Sequence, residues 1–131
     1  MNDNIIKYGV STIEDGPMNL NCGLPLAIIR ENQNNFLRRK GYPELKVKQA
    51  ELCQGANIKV VARKDPDIIA GCDGLITSDL NVLLLITIAD CLPVWIFDKN
   101  QLVMGLIHAG WRGLTGGIME NAVKVFKELG A

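Results

Sequence analysis

Apolar positions recur along this chain with two different periods, and each change of period marks an element. In PLAIIRENQNNFLRRK, residues 25–40, Ile29, Phe36 and Leu37 fall on one helical stripe, the last turn is basic, and Gly41 follows. Basic side chains suit the negative end of a helix dipole and glycine suits its stop, so the pattern predicts a first helix over 25–40. The middle of the chain reads as apolar runs bounded by turn residues: LKVKQ (45–49), NIKVVAR (57–63), GLITS (74–78), VLLLITI (82–88), PVWIF (93–97) and LVMGLIHA (102–109). These runs are rich in β-branched residues and predict six strands in one substantial sheet. Helical spacing returns at Ile118, Met119, Ala122, Val123, Phe126 and Leu129, with Thr115 as N-cap and Gly130 as stop. A second helix is therefore expected to begin just after Gly113. The fold class that follows is α/β, a mixed sheet packed with helices.

The runs 93–97 and 102–108 flank Asp98-Lys99-Asn100-Gln101, a polar segment short enough to close a hairpin. A turn at Lys99 and Asn100 pairs Phe97 with Leu102, Trp95 with Met104, Pro93 with Leu106 and Cys91 with His108. Directly opposed residues share a sheet face, with Cβ atoms about 4.5–5.5 Å apart, so turn geometry alone brings the only histidine of the chain to Cys91. A one-residue slip would send the two side chains to opposite faces. Directly after His108 the chain runs AGWRGLTGG, a glycine-rich entry to the second helix. Free backbone N–H groups at Gly110 and Gly113, with the Arg112 guanidinium, can hold a phosphate or carboxylate there.

Composition narrows the possible partners. At 131 residues the chain is one domain by size, with no repeat, low-complexity tract or linker to divide 1–131. Lys plus Arg and Asp plus Glu balance at 14 each, so no net field draws it to nucleic acid or to an anionic membrane. The longest apolar stretch, Val82–Ala89, is far shorter than the roughly 20 residues of a membrane helix. MNDNIIKYGV lacks a basic segment followed by an apolar one, so a cytoplasmic location is expected. Cys22, Cys53, Cys72 and Cys91 form no C-x-x-C pair and are expected to be free thiols there.

Taken singly, a buried cysteine is usually a small hydrophobe, a lone histidine a satisfied core residue, and a glycine-rich helix start common. Their convergence, with Asp90 and Arg112 alongside, favours a site.

Read together, ITIADCLPVWIFD and GLIHAGWRGLTGGIMENAVKVFKELGA closely resemble the YfiH/YlmD family, also called laccase-domain or multicopper polyphenol oxidoreductase proteins. A-D-C-x-P and H-A-G-W-R-G are specific motifs in the family order, and YGVST, MNLNCGL, QGANIKVV and CDGLITSD extend the similarity over nearly the whole chain. The resemblance implies an α/β fold, purine nucleoside phosphorolysis with adenosine deamination, and a zinc held by two histidines and a cysteine beside a pocket for nucleoside and phosphate. Carried over, Cys91 and His108 are metal ligands and catalytic groups, with Asp90 beside them. Arg112 contacts phosphate or substrate, and Asp73 is polar lining. A third protein ligand would leave the fourth zinc position open for water, as catalytic zinc requires.

Three departures stand out. Where the family carries its first zinc histidine in Q-x-H-G, this chain reads LCQG, which puts Gln54 at the ligand position, and a neutral amide is a poor zinc ligand. Neighbouring Cys53, on an extended segment, points the other way. Ser11-Thr12-Ile13 lacks the arginine of the family's S-T-R, and family members continue to about twice this length. A shortened sheet would leave an open edge and an uncovered apolar face, so a homo-oligomer is expected.

Three readings follow. The first is a purine nucleoside phosphorylase with adenosine deaminase side activity at a weakened zinc site. The second is a metal-free hydrolase with Cys91 as nucleophile and His108 as base, and the third a non-catalytic partner subunit. Trp95 is assigned to the core, whereas Trp111 can stack on a purine. Copper ranks below zinc, because a blue-copper site wants two histidines.

Overall fold

The computed structural model describes residues 6–42 and 44–131, which form a mixed α/β fold gathered into two compact units divided after Glu44. Among these residues no helix is long and apolar enough to cross a membrane.

The first unit holds a 3₁₀ turn, Ile13–Asp15, and helix α1, Leu26–Lys40. Pro25 opens α1 and Gly41 closes it in a left-handed conformation, its N–H reaching the Arg38 carbonyl at 3.1 Å, so the expected helix is present to within a residue. Ile29 and Leu37 are buried as the stripe required, together with Gln33, whose amide donates to the Met18 carbonyl. Asp15 is buried as well, accepting the Thr12 N–H at 2.7 Å and pairing with Arg39 of α1.

The second unit contains seven strands: β1 Lys46–Glu51, β2 Ile58–Val60, β3 Ile68–Ala70, β4 Gly74–Thr77, β5 Val82–Leu85, β6 Leu92–Asp98 and β7 Val103–Ala109. They form two sheets rather than the single one expected. A parallel sheet runs β3-β1-β5, and a mixed sheet runs β2-β4-β7-β6. The extra strand, β3, is three residues long and pairs in parallel with β1, a non-local contact that local patterning cannot signal. The run 82–88 leaves the sheet after Leu85, and 57–63 contributes only its first half.

Two helices, α2 Trp111–Thr115 and α3 Ile118–Glu128, replace the single one expected after Gly113. Gly117, at φ 80°, breaks the helical path between them. Thr115 is therefore not an N-cap; its hydroxyl donates back to the Trp111 and Arg112 carbonyls, each at 3.1 Å, at the end of α2. The apolar stripe of α3 covers one face of the mixed sheet. Phe126 packs with Ile76 and Val103, and Ile118 and Ala122 pack with Ile107. Burying Ile118 and Phe126 contributes about 2–3 kcal/mol each. Gly105 of β7 lies beneath this helix, and a Cβ there would meet Ile76 and Phe126 at 3.1 Å.

The β6–β7 hairpin differs in register from the expected one. His108 faces Pro93, and Asp98 faces Val103 across a loop of Lys99–Leu102. The Asp98 carboxylate accepts the N–H groups of Asn100 at 2.7 Å and Gln101 at 3.2 Å, and Leu102 turns back at φ 53°. These local bonds select the longer loop over a two-residue turn. The slip is an even one, so Cys91 stays on the face of Pro93 and His108. Val94 and Ile96 face α3, which turns Trp95 to the other side of this edge strand, 46% exposed and outside the core to which its sequence context assigned it.

That second face carries the joint of the unit. Asp73 precedes β4 and is fully buried; its main chain accepts the His108 N–H at 2.7 Å and donates to Asn57 at 2.9 Å. Its carboxylate accepts the N–H groups of Gln54 at 3.0 Å and Gly55 at 2.8 Å and the Cys53 thiol at 2.9 Å. Burial alone pushes this carboxyl up, but the Cys53 thiol, the Gly55 N–H, His108 and the Gln54 N–H together hold it below its ordinary value.

Two substitutions test these contacts. Gly105→Val forces Phe126 off β7 and lowers stability by about 1–3 kcal/mol in denaturant titration. Asp73→Asn removes the charge that these donors serve and costs about 3 kcal/mol at pH 7. Because the folded carboxyl is depressed, its contribution is complete above the unfolded value and is lost as pH falls. The wild-type advantage over Asp73→Asn therefore shrinks below about pH 4.

Candidate functional site

The glycine that opens α2 marks where the site lies. A Cβ built on Gly110 would stand 3.3 Å from Cys91 Sγ, 3.3 Å from His108 Cε1 and 3.5 Å from Gln54 Oε1. Three side chains from separate segments thus converge above one backbone position, with Cys91 diagonal to His108 instead of directly opposite. Gly110 has φ −76° and ψ 163°, an extended backbone open to any residue, so glycine serves there to keep the space clear.

His108 is buried, and its Nδ1 lies 3.1 Å from Asp73 Oδ1. A carboxylate only accepts, so a proton resides on Nδ1, and in the neutral imidazole Nε2 is left with a lone pair. The loop that carries Gln54 is clamped from several sides. Asp73 draws in its amides, Asn121 of α3 donates to the Ala56 carbonyl at 2.8 Å, and Gly113 of α2 packs on the Gly55 carbonyl so closely that a Cβ would stand 2.7 Å from that oxygen. Gly113 is thus a packing glycine first. Gln54 itself is held at φ 58°, a conformation unusual for a side chain of this kind.

The remaining sequence-predicted residues adjoin these in the chain. Trp111 is 67% exposed, and the Arg112 guanidinium sits 4.6 Å from its ring centre, leaving the opposite ring face for a stacking partner. The N–H groups of Trp111, Arg112 and Gly113 precede the first intrahelical bond of α2, which runs from Leu114 to the Gly110 carbonyl. Asp90 is exposed beside the half-buried Cys91. Cys53, which sequence reasoning set aside as a ligand, gives its thiol to Asp73; that bond, with burial, pushes the thiol up. Cys72 is sealed in the core, and burial carries it to about 11.

Two features escaped the sequence reading: Asp73 as the buried centre of the site, and Gly55 as a second amide donor to it. Asp73 is visible in CDGLITSD only as an acid before a strand; most of its partners are backbone groups some twenty residues earlier. The broad depressions along Met119–Glu128 and between β6 and α3 lie on the α3 side of the sheet and gather none of these groups.

Cys91 and His108 offer the thiolate and imidazole of a zinc site, but the third corner presents the neutral amide of Gln54. Among the described residues no cluster of three His, Cys, Asp or Glu side chains is placed to hold a metal ion. The donor set therefore does not match three-ligand zinc, nor the two histidines and cysteine of blue copper.

Comparison with known proteins agrees with the motifs. The family model described as multi-copper polyphenol oxidoreductase laccase matches residues 7–131. Purine nucleoside phosphorylase YlmD of Geobacillus stearothermophilus is 34% identical over 121 residues, which cover 82% of this chain and 44% of the relative. Purine nucleoside phosphorylase SSP1584 of Staphylococcus saprophyticus is 30% identical over 139 residues, covering 90% and 52%. The crystal structure of the Geobacillus YlmD superposes with a TM-score of 0.77 at 30% identity, covering 84% of this chain and 44% of that one. Bacillus licheniformis YfiH shares the fold, with a TM-score of 0.78 at 23% identity over 87% of this chain and 47% of its own. This chain thus spans about half the length of the relatives it matches. With motifs, fold and family model in agreement over residues 7–131, the chain belongs to the multi-copper polyphenol oxidoreductase laccase family, whose YlmD and YfiH members it resembles in structure.

Proposed function

We propose that this chain binds a purine nucleoside and inorganic phosphate above Gly110 and carries out phosphorolysis of the glycosidic bond. The observation that carries the reading is the convergence of Cys91, His108 and Gln54 on the space Gly110 leaves open, with Trp111 and Arg112 directly following. Relatives named purine nucleoside phosphorylase support the substrate class.

In this reading a phosphate oxygen attacks C1′ of the ribose as the C1′–N9 bond breaks. The bonding pair leaves with the purine, which takes up the proton that hydrogen phosphate gives up, and the products are ribose 1-phosphate and free base. Arg112 pairs with the phosphate charge, assisted by the amides of the Gly110–Gly113 turn, and the open face of Trp111 stacks on the base. His108, with Nδ1 held by Asp73, presents Nε2 as an acceptor for a nucleoside hydroxyl or ring N–H and is fixed in that orientation before substrate arrives. Cys91 and Gln54 close the cavity and offer polar contacts to the base, with Asp90 at its solvent edge. No step passes through a metal. Adenosine deamination, which the resemblance also implies, needs an activated hydroxide at C6, and this donor set does not assemble the metal that would supply it.

Phosphate-dependent release of hypoxanthine from inosine tests the reading; a folded protein that releases none contradicts it. Arg112→Ala, an exposed substitution, should lower kcat/KM for phosphate on the order of 100-fold while leaving the melting temperature unchanged. Loss of activity without dependence on phosphate concentration would remove Arg112 from the anion site.

A further inference from the structure

The point above Gly110 has the shape of a metal corner, with one position chemically out of place. Cys91 directly precedes β6 and His108 lies in β7, its hairpin partner, and the third approach comes from the 53–55 loop. That approach is imposed by the backbone. The Gln54 and Gly55 amides are tied to the Asp73 carboxylate at 3.0 and 2.8 Å, and Gly113 packs against the Gly55 carbonyl. The left-handed φ of 58° at position 54 follows from these bonds and does not depend on the Gln54 side chain. Whatever side chain stands at 54 is aimed from the same Cα.

What stands there is an amide. Its oxygen carries no charge and competes poorly for zinc against the thiolate, imidazole and carboxylate groups that the ion selects. Neighbouring groups do not replace it. Both Asp73 oxygens already accept hydrogen bonds, from the Gln54 and Gly55 amides, the Cys53 thiol and the His108 Nδ1–H, and moving that carboxylate to a metal would leave these donors without their partner. The Cys53 thiol is committed to Asp73 and not to the point above Gly110.

We infer that Gln54 is the residue that sets metal selectivity at this site: the chain carries a preformed three-cornered cradle with one corner neutralised, so it works without resident zinc, and one substitution at position 54 completes a zinc site. The Asp73–His108 bond belongs to that cradle, because a histidine ligand is oriented through its second nitrogen by a carboxylate of this kind. The inference concerns metal binding alone and stands apart from the identity of the substrate.

The test compares purified wild type, Gln54→His, Gln54→Glu and the double variant Gln54→His with Cys91→Ser, each titrated with zinc against a competing chromophoric chelator and, separately, with cobalt. Gln54→His is expected to bind about one zinc per chain, more than about 100-fold tighter than wild type. It should also show a thiolate-to-cobalt charge-transfer band that disappears in the double variant. Gln54→Glu, nearly the same shape as glutamine with a charged oxygen, should fall between wild type and Gln54→His. Wild type retaining one zinc per chain at the affinity of Gln54→His would overturn the inference. So would folded Gln54→His and Gln54→Glu proteins, verified by circular dichroism, that bind no better than wild type. If Gln54→His fails to fold, the wild-type and Gln54→Glu affinities decide the matter on the same terms.

Discussion

Asp73 is a carboxylate taken out of water, and such a charge is stable only where donors replace its lost hydration. In this fold the Cys53 thiol, the amides of residues 53–55 and His108 replace it, and together they hold the carboxyl below its ordinary value. Four of those donors belong to residues 53–55 and one to His108, so one side chain joins a loop, the entry to β4 and the far end of β7. The geometry of the candidate site follows. The loop is drawn in until Gln54 adopts a left-handed backbone, the imidazole is held through Nδ1, and both come to face the cysteine just before β6 across a glycine that keeps the space clear.

The scaffold around this joint is simple in physical terms. One face of the mixed sheet is dry, sealed by the apolar stripe of α3 over Ile76, Val103 and Ile107. The other carries Leu75 into a cluster with Ala50 and Ile69 of the parallel sheet and Val82 of β5 and, at one end, the polar group around Asp73. Strand alternation separates the two roles: Ile107 packs under the helix while His108, its neighbour, faces the site. Small residues then admit the close contacts, with Gly113 on the Gly55 carbonyl and Gly105 beneath Phe126.

Much of this was legible in the sequence, because the signals were local. Helix α1 carried its own stripe and stop, and the hairpin announced itself in two apolar runs around a polar turn. The proximity of Cys91 and His108 survived an error in register because the error was even and parity decides the face. Other features depend on contacts remote in the chain. The parallel pairing of β1 with β3 divides the strands into two sheets, and the orientation of β6 exposes Trp95, which an apolar run alone reads as core. The division of the last helix at Gly116-Gly117 was written locally, but periodicity through Ile118 and Phe126 outweighed it. Asp73 was the least legible, since most of its partners are main-chain N–H groups, which no side-chain pattern reveals. Gln54 was legible as a departure from the family motif; what the structure adds is that its Oε1 joins Cys91 Sγ and His108 Cε1 around the space above Gly110.

The chain has a single histidine, so its imidazole can be followed without assignment ambiguity. Two-bond proton–nitrogen correlation spectra of labelled protein at neutral pH report which ring nitrogen of His108 carries the proton. The bond from His108 to the buried Asp73 carboxylate predicts Nδ1–H with an unprotonated Nε2, and loss of that preference in Asp73→Asn. An Nε2–H tautomer in the wild-type protein would contradict the arrangement on which the site, and every role assigned around it, depends.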